Sequence, residues 1–188
     1  MNKVSSRDLD SFKRQYIGLL KGVKREGMEN LIKYLESTDF FVAPASVNRH
    51  SCFRGGLLIH SLSVYHLLRD RVKYYSARVG VRMNYSEDSI RIVSLLHDVC
   101  KVNCFIPKYD RSAGYNYVNH FPIGHGEKSV IRILKYIDLT EEEMLAIRWH
   151  MGNLFDNQSK DLARAIKQCN LVILLQHADV EASTFLNL

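Results

Sequence analysis

The chain has 188 residues, 46% apolar and 24% charged, which fits one globular domain able to bury a good-sized core. Its longest purely apolar run, "LVILL", is far too short to cross a bilayer, and "MNKVSSRDLD" lacks the apolar stretch of a signal peptide, so a cytoplasmic address without a membrane partner is expected. A net charge of +6, scattered along the chain, suits anionic partners in general, whether nucleotides, phosphates or nucleic acid.

In chain order, residues 7–38 read as one or two amphipathic helices. Leu9, Phe12, Tyr16, Leu19 and Val23 recur at helical spacing, and after Gly27 so do Met28, Leu31, Ile32 and Leu35. These N-terminal helices, within residues 1–45, are expected to pack on the core. The loop "DFFVAPASVNRHSCFRGG" ends in paired glycines that allow tight backbone geometry. Helix resumes from Leu57 to about Tyr75, and again from Asp88 to Cys100. Residues 102–124 break the pattern: tyrosine-rich flanks around "DRSAG" predict a short β-hairpin. Helix returns at 125–137. Thr140 followed by Glu143 is a capping box for a helix reaching Met151, closed by Gly152. A final helix from about Asp161 to Phe185 holds "LVILL", apolar all round and therefore central. The expectation is one all-α domain, residues 1–188, with a small hairpin.

Chemistry gathers in "SLLHDVCK". An apolar helical run delivers His97 and Asp98 side by side, with Lys101 one turn on. The directions of His97 and Asp98 differ by about 100°, so both can touch one metal near that helix end. His60 has Val64 and Leu67 at i+4 and i+7 and points inward. A lone inward histidine is more often a hydrogen-bonded core residue than a ligand. Asp179 sits beside Leu175 and Val172 in the last helix, where an unpaired carboxylate is costly and a metal would offset it. The four cysteines form no CxxC pair or disulfide framework and read as reduced packing residues.

Together "GGLLIHSLSV", "LLHDVCK" and "HAD", in this order on three core helices, resemble the HD-domain metal-dependent phosphohydrolase superfamily. The resemblance runs from about Arg49 to Ala182, and phage and prophage chains of similar length look like this one. It implies an HD-domain helical bundle, with the hairpin as an insertion near the site. It further implies His60, His97, Asp98 and Asp179 as ligands of a divalent transition metal, and imidazole and carboxylate suit Mn, Fe, Co, Ni or Zn better than Mg. HD subfamilies with two ions, such as the HD-GYP phosphodiesterases and the HD module of some 3′–5′ exoribonucleases, carry histidines where His125 and His150 stand here. Asp98 would then bridge the ions. The chain departs from the HD-GYP pattern, because Trp149-His150 replaces a paired His-His and no GYP follows. The second ion thereby loses a ligand, and with that ion weak or absent His125 and His150 would be free to contact phosphate or shuttle a proton.

Lys101, at i+4 from His97 and i+3 from Asp98, shares their side of the helix. In HD proteins a lysine here commonly meets the substrate phosphate. Arg54, Lys128 and Arg148 are secondary phosphate candidates. His177, about 200° round the helix from Asp179, is read as structural, and His50 as a loop residue able to line the pocket. The implied activity is hydrolysis of a phosphate ester or anhydride, with Asp98 and Lys101 in the catalytic roles and a small nucleotide as substrate. The rivals are a phosphodiesterase or nuclease in which Tyr109, Tyr115 and Tyr117 stack bases, a non-enzymatic nucleotide-binding module, and a di-iron oxygenase.

Overall fold

The computed structural model describes residues 5–79, 83, 85–108, 114–152 and 159–186. Among these the chain forms eight α-helices: α1 (Ser6–Lys21), α2 (Met28–Glu36), α3 (Gly56–Val79), α4 (Glu87–Leu96), α5 (His125–Leu134), α6 (Glu141–Trp149), α7 (Ser159–Gln168) and α8 (Asn170–Thr184). A 3-10 turn, Val99–Lys101, follows α4, and two short strands, β1 (Phe105–Pro107) and β2 (Tyr115–Tyr117), pair antiparallel. The fold is therefore all-α with a small hairpin, as the periodicity predicts. No helix among the described residues is long and apolar enough to cross a membrane.

The centre is α8. Leu171, Val172, Leu174, Leu175, Ala178 and Ala182 are all buried, and the helix packs against α3 and α6. A chain segment apolar on every side has to be wrapped by others, and "LVILL" is. Helix α3 also packs on α4, and α5 lies against α6 and the 3-10 turn. Helices α1 and α2 contribute Tyr16, Leu20, Leu31 and Leu35 to the same continuous apolar cluster. The Tyr16 hydroxyl donates to the Leu95 carbonyl at 2.7 Å, tying α1 to the last turn of α4.

Local signals act where they were read. Thr140 accepts from the Glu143 amide at 3.2 Å while the Glu143 carboxylate accepts from the Thr140 amide at 2.9 Å, completing the capping box. Glu143 also receives the Arg25 guanidinium at 2.5 and 3.1 Å, so the loop after α1 grips the start of α6. Gly55 and Gly152 adopt φ of +83° and +60°, left-handed values that glycine reaches without a Cβ penalty. In the hairpin Phe105 faces Tyr117 and Pro107 faces Tyr115. The turn from Asp110 to Ala113 and Tyr109 lie outside the described residues.

Two boundaries differ from the expected ones. The helix expected to run to Cys100 ends at Leu96, because Asp98 takes φ −103° and ψ 15° and winds the chain into the tighter 3-10 turn. The single terminal helix is two helices, broken where Cys169 is extended at φ −141° and ψ 110°. There the Leu171 amide, left without a helical acceptor near the start of α8, donates to the Tyr85 hydroxyl at 3.1 Å. That partner is remote in sequence, and no proline or glycine marks the break.

Replacing Glu143 with alanine removes a helix cap and strands the Arg25 guanidinium. The expected cost is about 3 kcal/mol. It is read as a lower urea midpoint with an unchanged slope.

Candidate metal centre

Four histidines and two aspartates from separate helices converge on one buried point. His60 comes from the second turn of α3, His97 caps the C-terminus of α4, and Asp98 follows it. His125 opens α5, His150 caps the C-terminus of α6, and Asp179 lies in α8. All but the partly exposed His125 are buried. Gly126 lets α5 approach α6 closely, since a Cβ there would collide with the Arg148 backbone. That contact sets His125 against His150, with ring centroids 5.3 Å apart.

Asp98 divides the donors. Its Oδ2 lies 3.7 Å from His60 Nε2 and 3.4 Å from His97 Nε2, and Asp179 Oδ1 closes this side at 3.0 Å from His60 Nε2. Its Oδ1 lies 2.8 Å from His125 Nε2 and 3.6 Å from His150 Nε2. His60, His97 and Asp179 form one group of donor atoms within 4.8 Å of one another, and His97, Asp98 and His150 form another.

The imidazole tautomers follow from the backbone. His97 Nδ1 lies 2.7 Å from the Ser94 carbonyl and His150 Nδ1 lies 2.7 Å from the Ile147 carbonyl, so each Nδ1 carries the proton. In the neutral rings each Nε2 then carries a lone pair, that of His97 facing His60 Nε2 at 3.3 Å with Asp98 Oδ2 at 3.4 Å, and that of His150 lying 3.6 Å from Asp98 Oδ1. His150 Nε2 has no hydrogen-bond partner. Lone pairs held this close to one another and to an anion in a buried site repel unless a cation sits between them. Fixing Nδ1 to a carbonyl while Nε2 stays free is also how metal-binding histidines are commonly oriented. The donors therefore fit a divalent transition metal.

Electrostatics agree with that fit. Burial opposes ionisation of Asp98, yet the Lys101 ammonium above all, with the His125 bond beside it, outweighs it and holds the carboxyl well below the usual range. Asp179 is likewise held below its ordinary range, with His60 the chief partner against burial. The Lys101 ammonium reaches Asp98 Oδ2 at 2.7 Å and, despite burial, is held charged by it. His125 is pushed down, burial outweighing its bond to Asp98.

The remaining candidates are placed as follows. Lys128 is buried and donates to Asn119 Oδ1 at 2.5 Å. Arg148 pairs with Glu127 and stacks over Trp149, 4.0 Å from the ring centroid. Arg54 is exposed near the Tyr115 phenol. His177 is exposed on the far side of α8, in keeping with the helix-face reading. His50 does approach the cluster, its ring 5.2 Å from that of His60, and burial with the neighbouring His60 and Lys101 charges pushes it down to about 4. Cys100, read from sequence as packing, stands 3.3 Å from His125 Nε2. Only the fold brings those two together.

Purified protein is expected to take up Mn²⁺, Co²⁺ or Zn²⁺ and to melt at higher temperature when loaded, an effect reversed by chelator. Asp98→Asn should lose metal in elemental analysis, while His177→Ala should keep it. Equal loss in both would show that the ligand face of α8 is misassigned.

No protein-family model matches this chain, and no solved structure does. A curated protein that matches is the dihydroneopterin 2′,3′-cyclic phosphate phosphodiesterase of Methanocaldococcus jannaschii, 30% identical over 111 residues, or 59% of this chain. The match spans 43% of that protein's length. Over that stretch, the chain with the buried histidine–aspartate cluster is similar to a phosphodiesterase.

Proposed function

We propose that the chain is a metal-dependent phosphohydrolase of the HD-domain superfamily, acting on a phosphate ester or anhydride of a small nucleotide by attack of an activated water. The observation that carries this reading is the division of donors by Asp98, with one carboxylate oxygen toward His60, His97 and Asp179 and the other toward His125 and His150. Such an arrangement suits a carboxylate shared by two cations. A divalent ion held there supplies a water of lowered pKa and a Lewis acid for a phosphoryl oxygen.

The chain's own groups do the rest. The two Nδ1-anchored imidazoles keep their Nε2 atoms turned inward, so the site is built before anything binds. Lys101 stands at the edge of the cluster with its side chain 13% exposed, which lets it meet a phosphoryl group arriving from solvent. Its charge opposes the negative charge that grows on that group in the transition state. With the second ion position empty, His125, also partly exposed, is placed to pass a proton to a leaving oxygen. Of the further basic residues, Lys128 and Arg148 are held by Asn119 and Glu127, while the exposed Arg54, near Tyr115 of β2, is the one open to an anion.

A second reading, a phosphodiesterase opening a cyclic phosphate, is favoured by the name of the matched relative. It uses the same residues and differs only in the bond cleaved.

Metal-loaded protein tested on nucleoside monophosphates, nucleoside triphosphates, 2′,3′-cyclic mononucleotides and a single-stranded oligonucleotide separates the cases. Turnover of a mononucleotide is expected. Cleavage of the oligonucleotide alone would replace the reading with a nuclease, and binding without turnover would replace it with a nucleotide-binding module. Lys101→Ala should lower kcat by about a hundredfold or more with metal content unchanged.

A further inference from the structure

We infer that Cys100 is a metal ligand, adding a sulfur donor to the ion position formed by Asp98 and His125 beside the unpartnered His150. The inference rests on the metal-centre reading above and extends it to a residue outside the expected ligand set. Against the two-ion pattern that the resemblance implies, that ligand set is one donor short, Trp149 standing where the pattern has a second histidine.

The geometry places a sulfur where a donor is missing. Cys100 is the middle residue of the 3-10 turn, two residues after Asp98, and is fully buried. Its amide donates to Ser129 Oγ at 3.1 Å, which pins the turn to α5. Its Sγ lies 3.3 Å from His125 Nε2 and 3.4 Å from His125 Nδ1. Donor atoms of Asp98, Cys100 and His125 all fall within 4.8 Å of one another.

A separate observation points to a ligand at this spot. His150 Nε2 is buried without a partner, 3.6 Å from the same Asp98 Oδ1 that His125 Nε2 meets at 2.8 Å. Asp98, His125 and Cys100 make a carboxylate, imidazole and thiol set of the mixed kind that zinc, cobalt and iron accept, with the unpartnered His150 Nε2 on the same carboxylate oxygen. A packing cysteine would face apolar side chains; this one faces an ionised carboxylate and a histidine. Cys104, by contrast, turns its Sγ to the carbonyls of Val102 and Cys100, at 3.4 and 3.5 Å. Ligation exchanges the Cys100 S–H bond for a sulfur–metal bond and releases the proton to solvent. The class of ion selected is a thiophilic divalent metal, in preference to Mn²⁺ or Mg²⁺.

Titrating metal-free protein with Co²⁺ tests this without recourse to activity. A thiolate-to-cobalt charge-transfer band should grow in the near ultraviolet as the second equivalent binds. The band should vanish in Cys100→Ser and persist in Cys104→Ser, with Co²⁺ affinity at the second position at least about tenfold weaker in Cys100→Ser. X-ray absorption at the cobalt edge of the unmodified protein decides the same point if Cys100→Ser fails to fold, a sulfur neighbour being the expected result. Cobalt bound without a charge-transfer band or sulfur neighbour overturns the role of Cys100 and leaves the phosphohydrolase reading standing. A band that survives Cys100→Ser also overturns it. Failure to bind cobalt at all overturns both.

Discussion

The ionised carboxylate of Asp98, buried among helices, is the constraint around which the site is organised. An isolated charge of this kind costs several kcal/mol to bury, so its neighbours must answer it. Lys101 does so at 2.7 Å and His125 at 2.8 Å, while His97 and His150 stand farther away at 3.4 and 3.6 Å. The answer is incomplete: His150 Nε2 stays buried beside the anion without a hydrogen-bond partner. A site left this way suits an added cation.

Helix ends do much of the delivery. His97 and His150 each occupy the C-cap of a helix and each return Nδ1 to the carbonyl three residues back. Both helices thus direct the negative end of their dipole toward the cluster, adding to the potential that draws a cation in. The cap geometry sets ring orientation while the helix end adds its negative potential, so a single local arrangement serves both purposes at two places in the chain.

Much of this could be read before folding. Thr140 and Glu143 announced the start of α6 because a capping box is complete within four residues. His60, His97, Asp98 and Asp179 stood out because apolar helical positions make an ionisable residue conspicuous. What stayed hidden depended on partners far along the chain. The break at Cys169 is stabilised by Tyr85, 86 residues from the amide it accepts. Lys128 read as a secondary phosphate candidate, and its burial with the ammonium on Asn119 shows only in the fold. Cys100 looked like packing because its neighbour His125 lies across the hairpin segment in sequence. Asp98 itself was read as helical, whereas its non-helical φ and ψ begin the turn that carries Cys100 and Lys101.

The Arg25–Glu143 pair also matters for the site. Helix α6 starts at a cap gripped by the loop after α1 and ends, nine residues later, at His150. A helix of that length is a stiff rod of about 13 Å. Whatever shifts its gripped end shifts the imidazole at the other. The N-terminal helices hold none of the clustered donors, yet through this rod they help determine where one of them stands. The region outside the resemblance is thereby a mechanical part of the centre, a strut whose length and anchorage set the spacing between His150 and Asp98.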